Sequence, residues 1–100
     1  MAEGSSQHNG KSLDAGQIID RTRQYIMENF LYTRPDFVID PADSLLERRI
    51  VDSVGMVELL GFIEETFGLH AADDEVTEDN FATLERIARY VLRKREKAAA

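Results

Sequence analysis

No cysteine occurs in the 100 residues, which removes disulfides, thiolate chemistry and cysteine-based zinc sites together. Histidine occurs only at His8 and His70, too far apart and in contexts too different for a histidine-based metal site. No apolar run approaches the ~20 residues that cross a bilayer, and no apolar signal-type segment follows the N-terminus. Membrane insertion is therefore not expected, and a cytoplasmic location is. Asp73-Asp74-Glu75 lacks the alternating acids and central glycine of a calcium loop and reads as a solvated run. A nucleophile–base pair, a metal cluster and a phosphate loop are all missing, so the chain is not expected to be an enzyme.

The absence of positive charge from one stretch says more. From residue 52 to residue 85 there are ten acidic side chains and no Lys or Arg, whereas residues 86–97 hold six of the twelve basic ones. The net charge is −7. Such a surface repels phosphate backbones, which disfavours nucleic acid, and speeds encounter with partners that carry basic patches. Composition alone favours a plainer reading, an acidic surface kept for solubility.

A hydrophobic content of 43% in 100 residues supports one small globular domain with one core. Residues 1–12 are rich in Gly, Ser, Gln and Asn without periodicity and read as a disordered leader, leaving 13–97 as the folded domain. Asp14-Ala15-Gly16-Gln17 has the form of a capping box. Ile18, Ile19, Ile26 and Phe30, with Tyr25 and Leu31 as further candidates, then predict a helix over 14–31. The two prolines, Pro35 and Pro41, both fall in the next stretch and disfavour helix before them. Residues 32–52 thus read as a long irregular connection, a length that points to function. Phe37, Val38, Ile39, Leu45 and Leu46 are expected to pin it to the core.

A second helix is predicted over 54–67. Met56, Leu59, Leu60, Ile63 and Phe67 recur at spacings of three and four and should be buried, and Gly68 stops the helix. Val54, Val57 and Gly61 share another face with Glu58, Glu64 and Glu65 around them. Thr77 to Phe81 reads as one short helical turn. Thr83 caps a last helix whose inner stripe is Leu84, Ile87, Ala88, Val91 and Leu92, with Arg93, Lys94 and Arg95 near the negative end of its dipole. Tyr90 and the two histidines are assigned no chemistry. No strand competes apart from the brief Phe37-Val38-Ile39 run. The fold class is all-α: three main helices plus one short helix, with a long loop between helices 1 and 2, expected to be a monomer.

Ser53 stands where that loop becomes the second helix. Its hydroxyl suits an N-cap. An exposed hydroxyl at the head of an acidic helix is also a place to attach a covalent arm that other proteins must find. Asp43-Ser44-Leu45 is a superficially similar triplet, but no sustained amphipathic helix follows it, so Ser44 reads as a turn residue.

Ile50-Val51-Asp52-Ser53-Val54-Gly55, followed by Glu58-Leu59-Leu60-Gly61-Phe62-Ile63-Glu64-Glu65-Thr66-Phe67-Gly68-Leu69, resembles the acyl/peptidyl carrier proteins, and the resemblance extends over residues 14–95. It implies that Ser53 receives 4′-phosphopantetheine from coenzyme A through a dedicated Mg²⁺-dependent phosphopantetheinyl transferase. The arm would then carry an acyl, aminoacyl or peptidyl group as a thioester between loading and accepting enzymes with basic patches. Asp52 would help the transferase dock. Val54, Val57, Glu58, Gly61, Glu64 and Glu65 would form the partner face. The chain departs from the common pattern at Ile50, where Gly is frequent, and at Val54, where Leu or Met is. Gly61 stands where many fatty-acid carriers have a large apolar residue. The form is closer to free-standing D-alanyl, aminoacyl and short-acyl carriers of secondary metabolism. The alternative is a non-covalent acidic helical adaptor for a basic protein partner, with Ser53 merely a cap.

Overall fold

Asp14 opens the fold with a reciprocal cap. Its Oδ1 accepts the Gln17 N–H at 2.8 Å while Gln17 Oε1 accepts the Asp14 N–H at 3.0 Å, so two of the orphan donors of a helix start are satisfied. The structure is a computed structural model and describes residues 13–99. The leader expected at 1–12 lies outside the described residues. Helix α1 (Ala15–Asn29) follows the cap and buries Ile18, Thr22 and Ile26. It stops two residues short of the predicted end. Leu31 is nevertheless buried, as its apolar character requires.

Helix α2 (Ser53–Phe67) buries Leu59, Ile63 and Phe67. Met56 and Leu60, expected in the same stripe, lie at its margins and are half-buried. Gly68 ends α2 in the left-handed conformation, φ 68° and ψ 48°, with its N–H on Glu64 O, a role glycine fills without Cβ crowding. A 3₁₀ turn (Asp73–Glu75) and the short helix α3 (Glu78–Phe81) lead to α4 (Leu84–Ala99). Thr83 Oγ1 accepts the Arg86 N–H at 3.1 Å, the cap predicted for this helix. Leu84, Ile87, Ala88 and Val91 are buried, Leu92 is half-buried, and α4 packs chiefly on α1 and α3.

The all-α arrangement of three main helices and one short one, with a long loop between the first two, is as expected. No strand forms among the described residues, and none of their helices is long and apolar enough to cross a membrane. One contact across α1 and α2 has no counterpart in the predicted stripes. Tyr25 and Phe62 stack with ring centroids 4.1 Å apart and planes 17° apart.

The loop is held by backbone bonds as much as by side chains. Leu45 N–H donates to Ala82 O at 2.9 Å, and Leu45 O accepts from both Ile50 N–H and Val51 N–H at 2.9 and 3.0 Å. Glu85 N–H donates to Pro41 O, and Arg23 Nε donates to Ile39 O. Ile39 and Leu45 are buried as expected, and Ile50 and Val51 join them. Two expected anchors are corrected: Val38 is 79% exposed and Leu46 is 41% exposed. In extended chain neighbouring side chains point to opposite sides, so burying Ile39 turns Val38 outward. Leu46 is similarly carried to the outside of the turn that buries Leu45. Phe37 is half-buried, flanked by the guanidinium groups of Arg34 and Arg48 at 4.5 and 5.2 Å from its ring centre.

Candidate functional site

The head of α2 is capped by Asp52, not by Ser53 as expected from the sequence. Asp52 has extended backbone, and its Oδ1 accepts the Gly55 N–H at 2.7 Å. A carboxylate there satisfies the orphan donor and also meets the positive end of the helix dipole. Ser53 is consequently the first helical residue. Its side chain is exposed, and among the described residues its hydroxyl has no hydrogen-bond partner. A primary hydroxyl so placed can be esterified without breaking any contact that holds the helix.

Gly55 lets the first turn of α2 pack closely. A Cβ there would lie 2.9 Å from Val51 Cγ1 and 3.0 Å from Phe30 Cε1. The turn that presents Ser53 is therefore pressed against the segment entering it and against the end of α1. The packing role of Gly55 escaped the sequence reading, although a glycine two residues into a helix is a signal of close approach. Ser44, by contrast, is half-buried, and its Oγ accepts the Glu47 N–H at 3.2 Å, as a turn residue does.

Beyond Ser53 the outer face of α2 carries Val54, Val57, Glu58, Gly61 and Glu65, all exposed. The two valines are 72% and 69% exposed. Helical spacing puts Val54, Glu58, Gly61 and Glu65 in one line leading away from the serine. Glu64 does not join them. It is half-buried, accepts the Ala71 N–H on Oε2 at 2.9 Å and sits 3.4 Å from His70 Nδ1, so it holds the chain after α2. Gly61 meets nothing within 4 Å of where a Cβ would be. Packing therefore does not require a glycine at that position.

Glu75 corrects a further expectation. Far from being merely solvated, its Oε1 accepts from Tyr90 OH at 2.9 Å, Ala72 N–H at 3.0 Å and Lys94 Nζ at 3.0 Å. The Ala72 N–H, then the Lys94 and Tyr90 donors, pull its carboxyl down to about 2. Burial, followed by the hydrogen bond to Glu75, pushes the Tyr90 phenol upward. Asp73 and Asp74 remain exposed. Glu75 thus ties the 3₁₀ turn to α4.

Two concavities adjoin the serine's end of the molecule. Leu46, Glu47, Arg49, Val51, Asp52 and Ser53 line an open depression. Leu46, Met56, Val76 and Phe81 wall a more apolar cleft of about 170 Å³ between the loop, α2 and α3. No family model and no curated protein matches this chain.

Proposed function

We propose that this protein is a carrier that holds an acyl or aminoacyl group as a thioester on a 4′-phosphopantetheine arm attached to Ser53. One observation carries the reading: Asp52 takes the cap, leaving the Ser53 hydroxyl exposed and, among the described residues, without a partner on a closely packed first turn. A residue kept only as a cap would not sit one position past it. The fit with the arm is good, since the hydroxyl opens onto solvent and no packed side chain need move. In attachment, Ser53 Oγ forms a bond to the phosphorus of coenzyme A next to the pantetheine. The pyrophosphate bond breaks, adenosine 3′,5′-bisphosphate leaves and the serine proton is lost. The bound group supplies a terminal thiol for thioester chemistry. The chain itself supplies a fixed anchor and a face that enzymes recognise.

Val54, Val57, Glu58, Gly61 and Glu65 are that face. Exposed apolar side chains give the centre of a contact, and acids at its rim favour fast association with basic enzymes more than tight holding. The resemblance to free-standing carriers, together with Gly61 on the proposed partner face, argues against service to a fatty-acid synthase. Incubation with coenzyme A, Mg²⁺ and a broad-specificity transferase should add one phosphopantetheine by intact mass. The addition should be lost in Ser53→Ala and kept in Ser44→Ala. No added mass with an active transferase would leave the adaptor reading.

A further inference from the structure

Arg49 is the one non-glycine residue with positive φ among those described, at 57°. That conformation crowds an L side chain, and glycine ordinarily takes it. An arginine stands there instead. It is exposed and shares the depression beside the head of α2 with Glu47, Asp52 and Ser53. Its neighbour Arg48 is committed elsewhere, with Nη1 2.7 Å from Asp43 Oδ2 and its guanidinium over Phe37. Arg49 makes no ion pair or side-chain hydrogen bond among the described residues.

Charge in the depression is unbalanced once Ser53 is esterified. Glu47 and Asp52 each contribute a negative charge, the phosphodiester would add a third, and Arg49 is the only cation in the lining. Residues 52–85 offer no other. A guanidinium presents forked donors that match the spacing of phosphate oxygens and stays charged at any working pH. The left-handed backbone at Arg49 closes the turn, with its N–H on Leu46 O at 3.0 Å and the Ile50 N–H on Leu45 O at 2.9 Å. We infer that Arg49 pairs with the phosphodiester on Ser53 and fixes the root of the arm against the depression. Arg49 is thus a positioning residue, and this role rests on the carrier reading above.

The test compares native protein before and after phosphopantetheine transfer, with intact mass read first. The Arg49 Nε–Hε NMR resonance should shift on modification and move back as sodium chloride is raised, because the pair is screened. The ³¹P resonance of the arm should be displaced in Arg49→Asn, which tolerates the left-handed backbone without the charge, and should stay near its native position in Arg49→Lys. Unchanged Arg49 and ³¹P resonances in a protein that has taken the group would overturn the pairing while leaving attachment intact. Failure of the native protein to gain mass would remove the carrier reading itself. If Arg49→Asn does not fold, the native comparison alone decides.

Discussion

Tyr90 donates its hydroxyl to Glu75 Oε1 at 2.9 Å, joining α4 to the 3₁₀ turn across fifteen residues of chain. The same oxygen is held by Lys94 and by the Ala72 amide. Because the folded Glu75 carboxyl is depressed from its ordinary 4.5 to about 2, its contribution to stability is fully present above pH 4.5. That contribution is lost as pH falls towards 2. Thermal melts across this window should show a pH-dependent fall that Glu75→Gln flattens. Tyr90→Phe should lower the melting temperature at neutral pH while keeping the ring packed. A Glu75→Gln variant with the native acid profile would remove the role given to this carboxylate.

The cap, Asp52, and the proposed attachment point, Ser53, are adjacent but separable. Asp52→Ala should cost about 1 kcal/mol by loss of the N-cap, measured by urea denaturation. Ser53→Ala should change stability by less than about 0.5 kcal/mol, since its hydroxyl holds nothing. Asp52→Asn keeps a good cap and so should preserve stability. Its rate of phosphopantetheine transfer should fall if the carboxylate guides the transferase. A large destabilisation in Ser53→Ala would mean that the hydroxyl is structural after all.

The two glycines of α2 should respond in opposite directions. Gly55→Ala pushes a Cβ into Val51 and Phe30, a clash expected to cost about 1–3 kcal/mol. Gly61→Ala meets open space and should stabilise the helix by up to about 1 kcal/mol. Chemical denaturation of the two variants side by side decides the matter. Equal losses would contradict the packing described at Gly55.

Charge reversal on the outer face tests docking without touching the core. Glu58→Lys combined with Glu65→Lys should slow modification or loading at low salt, with helicity by circular dichroism unchanged. Both positions are exposed. Native kinetics in this double variant would take the acids out of partner recognition.

Much of this architecture is legible locally, where one short stretch contains both partners of an interaction. The Asp14–Gln17 box, the Gly68 stop, the Thr83 cap and the turn at Glu78–Phe81 are all of this kind. Other features depend on partners distant in sequence. Glu75 reads as one acid in a solvated run until α4 brings Tyr90 and Lys94 to it, and the Tyr25–Phe62 stack joins residues on two helices. At the head of α2 the sequence points to Ser53 as the cap, one residue later than the cap observed. Aspartate and serine are comparable caps, and only the observed register gives the role to Asp52. Glu64 was grouped with the outer acids because helical spacing alone does not reveal that the chain after Gly68 folds back to its carboxylate.

The peptide unit of Leu45 has a mechanical consequence. Its N–H is tied to Ala82 at the joint before α4, and its carbonyl receives the amides of Ile50 and Val51, which run directly into Asp52 and Ser53. One residue therefore couples the joint before α4 to the approach to the serine. The amides of Leu45, Ile50 and Val51 should exchange with deuterium as a single cooperative group. Well-separated rates would mean that the approach to Ser53 frays independently of that joint.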